Sequence, residues 1–124
     1  MAIAGAHTLV YAEDADAARA FFRDVLGFPS VDAGGGWLIF ALPPSEVGVH
    51  PGPSREKDVG QHELSFMCRD LEATVEELTA KGVEFTAPVT EESYGRVTRF
   101  LVPGGAGEMV LYQPRHESPL ADFS

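Results

Sequence analysis

The chain has 124 residues, 44% of them hydrophobic and 10% aromatic, which is enough apolar material for one folded domain with a real core, so disorder is not the expected reading. Nine Lys and Arg against nineteen Asp and Glu give a net charge of −10, and the basic residues are scattered, so nucleic acid is excluded as a partner. A single cysteine, Cys68, excludes an internal disulfide and a cysteine-based zinc site.

The opening stretch MAIAGAHTLVYAED lacks the basic start of a secretory signal, and no apolar run is long enough to span a membrane, so a cytoplasmic location is expected. Ile3 to Tyr11 favours a pleated surface and carries one conspicuous polar residue, His7. Asp14 is placed to cap a helix in which Ala17, Ala18, Phe21, Phe22, Val25 and Leu26 recur at helical spacing, and Gly27 is placed to end it. Pro29 to Ala33, Trp37 to Leu42 and Glu46 to His50 read as three short strands separated by Gly34-Gly35-Gly36 and Pro43-Pro44-Ser45.

PGPSREKDVG, residues 51–60, has no periodicity and reads as a linker. After it the first pattern returns. Lining up Asp70 with Asp14 sets Leu64, Phe66 and Met67 against Thr8, Val10 and Tyr11, and Glu63 against His7. Gln61 to Cys68 is expected to be a strand, with Cys68 packed as a small hydrophobe at its end. Leu71 to Lys81 is expected to be a helix capped by Asp70 and stopped by Gly82. Val83 to Phe85 is then a short strand, Ala87 to Ser93 a loop, and Tyr94 to Val102 and Gly107 to Gln113 two strands joined by the tight turn Pro103-Gly104-Gly105-Ala106. The polar tail after Pro114 is expected to be loosely held, with Leu120 and Phe123 able to dock on a neighbour. The expected fold class is α+β: two tandem βαβββ modules, residues 3–50 and 61–114, joined by the linker and followed by a tail at 115–124.

HTLVYAEDADAARAFFRDVLGF in the first half, with ELSFMCRDLEATVEELTAKGVEF and YGRVTRFLVPGGAGEMVLYQP in the second, resembles the vicinal oxygen chelate superfamily of glyoxalase I, bleomycin resistance proteins and extradiol dioxygenases. The resemblance runs from Ile3 to Pro114 and implies curled mixed sheets around a cleft. It also implies a metal, where one is used, held by one residue on the first and one on the last strand of each module. His7 and Glu63 match two of these positions. Gly48 and Val110 fall on the other two and cannot ligate, while His62 is out of step. His50 and Glu108 each lie two residues along a strand from a vacant position, and so on the same face.

Each candidate residue has a functional reading and a structural one. His7 is a metal ligand, a general base, or a cleft histidine satisfied by Glu63. Trp37, Phe40, Tyr94 and Tyr112 are an aromatic wall for a flat ligand, or core. Arg96 anchors an anion, or balances Glu91 and Glu92. No Ser-His-Asp or Cys-His arrangement, phosphate loop or dinucleotide fingerprint is present. The reading that absorbs the missing ligands is a small homodimer binding an aromatic or cationic molecule, such as an antibiotic, without metal. Its ligand cleft would include His7, Trp37, Gly48, His50, Glu63, Tyr94, Arg96, Glu108, Val110 and Tyr112. The alternative is a lyase, isomerase or dioxygenase dependent on Zn, Ni, Fe or Mn held by His7, Glu63 and Glu108.

Overall fold

The computed structural model describes residues 7–48 and 62–120. The order of elements is α1 (Ala15–Ala20) running into a π-helical turn (Phe21–Val25), β1 (Ser30–Asp32), β2 (Leu38–Phe40), β3 (Ser65–Met67), α2 (Leu71–Ala80), β4 (Thr90–Glu92), β5 (Gly95–Val102) and β6 (Gly107–Pro114). The chain is thus α+β, with a two-stranded sheet β1-β2 and a four-stranded mixed sheet in the order β3-β6-β5-β4.

Both helices begin as their caps dictate. The Asp14 carboxylate accepts from the Ala17 amide and that of Asp70 from the Ala73 amide, each at 3.1 Å, which satisfies a donor the first turn leaves unpaired. Both end at glycines with positive φ, +74° at Gly27 and +91° at Gly82. A second tie holds α2 to the sheet, because the Leu71 amide donates to the side-chain carbonyl of Gln113 on β6 at 2.9 Å. Replacing Asp70 by Ala is expected to cost about 1 kcal/mol of stability, read as a lower urea midpoint with unchanged slope.

At the end of α1 the Leu26 amide reaches the Phe21 carbonyl at 3.1 Å, an i to i+5 bond that widens the turn. The adjacent Phe21 and Phe22 then serve different neighbours: Phe21 stacks toward Phe100, and Phe22 meets Phe28 and Phe40.

Strand β3 runs parallel to β6 with Ser65 opposite Val110, and β5 runs antiparallel to β6 with Arg99 opposite that same valine. Alternation then sorts the sheet into two faces. Phe66, Met109, Leu111, Phe100 and Val102 lie under the helices and form the core with Ala18, Phe21 and Leu71. Ser65, Val97, Arg99, Val110 and Tyr112 are left on the other face.

Several expected elements differ. Residues 7–12 and 46–48 form no ladder among the described residues, and positions 3–6 of the first expected strand lie outside them. The positions 49–50 and 61 at the ends of expected strands lie outside the described residues. Val83 to Phe85 contributes one isolated bridge, Phe85 to Phe100, while the expected loop at 87–93 contains β4. The tail is held as far as Leu120. The Ser118 hydroxyl, buried, donates to the Glu46 carboxylate at 2.5 Å, and the Leu120 amide donates back to that hydroxyl at 3.1 Å. Phe123 lies outside the described residues.

Candidate functional site

The helix-free face of the four-stranded sheet carries a hollow of about 270 Å³ lined by Glu63, Ser65, Tyr94, Val97, Arg99, Val110 and Tyr112. Its floor is apolar at Val97 and Val110, both buried. One wall is aromatic, with the Tyr94 and Tyr112 rings edge to face at 6.0 Å, a geometry that leaves ring surface for a flat guest. Burial, and then the Glu46 carboxylate and Tyr94, push the Tyr112 phenol above its ordinary pKa, so it remains a hydrogen-bond donor at neutral pH.

The Tyr112 hydroxyl lies 3.2 Å from His116 Nε2, and His116 Nδ1 lies 2.8 Å from the Glu117 carbonyl. A carbonyl only accepts, so Nδ1 carries the proton and, in the neutral ring, Nε2 accepts from the tyrosine. The tail therefore braces the aromatic wall from behind.

A second, more open hollow of about 450 Å³ is lined by His7, Thr8, Leu9, Val10, Tyr11, His62, Glu63, Leu64, Ala106, Glu108 and Met109. It brings His7, Glu63 and Glu108 to one depression, with Glu63 shared between both hollows. Among the described residues, however, no three His, Cys, Asp or Glu side chains come close enough together to hold a metal ion. Glu63 faces Arg99 instead, its carboxylate 3.9 Å from the guanidinium. Val110, opposite Arg99 on the neighbouring strand, presents no donor atom. A catalytic divalent cation needs about three protein ligands, and this donor set, with a fixed cation already beside one carboxylate, does not match it.

Of the other expected site residues, Trp37 lies outside both hollows, in the turn before β2. The Arg19 guanidinium sits over its ring at 5.4 Å, a cation-π contact in place of a cleft position. Arg96 also lies outside both. It pairs with Glu72 of α2 and with Glu91 at 2.6 Å, on the helix side of the sheet. Gly48 lies on an irregular exposed segment with open space around it, and His50 is outside the described residues. Cys68 is half-buried beside the Tyr112 carbonyl, and burial raises its thiol pKa, as suits a packing residue more than a nucleophile.

Ser65, Val97 and Arg99 line the first hollow without having been singled out in the sequence. Their signal is the alternation of β5, in which Thr98, Phe100 and Val102 face the core and so leave Val97 and Arg99 on the opposite face. Counting onward from Tyr94 selects Arg96 instead, because Tyr94 sits in the two-residue turn between β4 and β5 and does not share the strand's parity.

A mixed sheet whose first strand runs parallel to its last, with a solvent-facing hollow opposite the helices, defines a class of two-layer α+β ligand-cleft folds. The chain belongs to the Glyoxalase/Bleomycin resistance protein/Dioxygenase superfamily, whose family model matches residues 5–107. Among solved structures it is similar to TnmS3, an antibiotic binding protein from Streptomyces sp. CB03234, at 25% identity over 92% of this chain and 98% of that one, with a TM-score of 0.62. It is also similar to a superfamily member from Sphaerobacter thermophilus, at 26% identity over 91% and 99% with a TM-score of 0.61. Lactoylglutathione lyase from Agrobacterium tumefaciens shares the fold, at 21% identity over 89% and 92% with a TM-score of 0.62. No curated protein matches the chain.

Proposed function

We propose that the protein binds a flat aromatic small molecule in the hollow between β3, β6 and β5 and retains it unchanged, as a protein that sequesters an antibiotic or similar metabolite does. In this reading residues 3–50 and 61–114 form the two modules of one domain, and the protein works as a homodimer in the cytoplasm. The observation that carries the reading is the hollow itself, in which an edge-to-face tyrosine pair stands over an apolar floor of Val97 and Val110. Similarity to an antibiotic binding protein supports it. The exposure of Tyr11, Val31 and Val47 in the first half supports a second subunit covering that surface.

A metal-dependent lyase, isomerase or dioxygenase is the second reading. It is favoured by the approach of His7, Glu63 and Glu108 to one depression and opposed by Arg99 and Val110 beside it.

Ligands that bind the native state raise its apparent stability, by about 2.7 kcal/mol at a concentration a hundred times Kd. A thermal-shift panel of flat aromatic compounds is expected to raise the melting temperature of the native chain, and Ser65→Trp, which fills the hollow, is expected to remove those shifts. Equal shifts in both proteins would place binding elsewhere.

A further inference from the structure

Arg19, Arg23 and Arg96 approach carboxylates at 3.3, 2.7 and 2.6 Å, and Arg115 is tightly paired with Glu91. Arg99 differs. Its described ion-pair partner, Glu63, stays 3.9 Å away, beyond hydrogen-bond distance, and both side chains are largely exposed, at 47% and 68%. Such a pair contributes little to folding. It leaves guanidinium N–H donors available at the edge of the hollow, where Arg99 is the only cation and Glu63 the only carboxylate among the lining residues.

We propose that Arg99 is a specificity-determining residue, a fixed cation that selects aromatic ligands bearing a carboxylate or other anionic oxygen pair. This rests on the ligand-binding reading above. The placement supports it in three ways. Arg99 lies directly across the sheet from Val110, so an anion on the guanidinium and an aromatic ring over the valine are neighbours in one guest. A guanidinium matches a carboxylate with two parallel N–H donors, and such charge-assisted bonds are about twice as strong as neutral ones. The Ser65 hydroxyl lines the same hollow and adds a donor for oxygen.

The overall charge of −10 would by itself favour cationic guests. At 0.15 M salt, however, exposed charges beyond about 8 Å are screened, which leaves Arg99 and its partner Glu63 as the two charges a guest in the hollow meets. Glu63 then acts as the tether an anionic ligand displaces.

The test is calorimetric titration of the full chain with 2-naphthoate, the isosteric neutral 2-naphthamide, and the cation 2-naphthylmethylammonium. The carboxylate is expected to bind on the order of tenfold more tightly than the amide. Arg99→Gln is expected to abolish that preference, Arg99→Lys to keep part of it, and Glu63→Gln to tighten naphthoate severalfold. A carboxylate-to-amide ratio unchanged by Arg99→Gln, or tightest binding of the cation, overturns the proposal. If Ser65→Trp then still blocks binding, the small-molecule reading stands without it. Binding of all three that is unaffected by Ser65→Trp, or no binding at all, overturns both.

Discussion

Phe100→Ala is expected to destabilise the protein by about 3–5 kcal/mol, the range for removing a buried phenylalanine whose surroundings cannot close the space. The side chain is 1% exposed. Its ring meets Phe21, Phe66 and Phe85 at centroid distances of 6.3, 6.3 and 6.2 Å. Those partners come from the first helical segment, from β3 and from the segment after α2. One ring therefore joins the two halves of the chain, and its removal costs contacts on three sides at once. The loss is a large share of the 5–15 kcal/mol that keeps a typical domain folded. Chemical denaturation should show a lower midpoint for Phe100→Ala, with Phe100→Leu losing roughly half as much because it retains more of the volume. Equal losses in the two variants would mean that the volume leucine retains counts for nothing and that the ring contacts carry the whole effect.

The second large effect is expected at Gly104, in the hairpin turn between β5 and β6. Its φ is +85°, and a Cβ added there would lie 2.3 Å from the Asp14 carbonyl and 3.2 Å from both the Ala17 Cβ and the Ala18 nitrogen. No side-chain rotation relieves a clash with backbone. The Asp14 amide also donates to the Gly104 carbonyl at 2.7 Å, so the turn is docked on the start of α1. Gly104→Ala must undo that joint or hold a strained backbone, at about 2–4 kcal/mol. Gly107→Ala is the matched control, since its φ of +86° is nearly the same but nothing lies within 4 Å of the added carbon. It should show backbone strain alone, about 1–2 kcal/mol. The difference between the two melting temperatures measures the docking contact, and equal temperatures would show that this contact adds nothing.

Local chemistry was legible in the sequence. Asp14 and Asp70 cap their helices, and Gly27 and Gly82 end them, because each signal acts within one turn of the residue that carries it. Features that depend on distant pairing were not. β4 is a strand because Thr90, Glu91 and Glu92 pair with Val97, Arg96 and Gly95, although all three are exposed and carry no apolar alternation. The tail is fixed by Ser118 reaching Glu46, seventy-two residues earlier, which no local pattern announces. At the candidate site the family resemblance named the strands, while the turn at Ser93 and Tyr94 broke the parity that would have carried the reading to Arg99. Trp37 has the aromatic character of a cleft wall, but its ring lies under the Arg19 guanidinium instead.

These positions change the chemical character of the site. In place of a ring of metal ligands, the sheet presents a valine flanked by serine and arginine, beside two tyrosines. In the proposed function such a surface recognises shape and charge, with no step that calls for a Lewis acid. Proton–nitrogen correlation spectra of chelator-treated protein titrated with 2-naphthoate test this most directly. Saturable shifts are expected at Ser65, Val97, Arg99, Val110 and Tyr112, unchanged when a divalent metal is added. Shifts confined to other surfaces, or appearing only after metal is supplied, would contradict it.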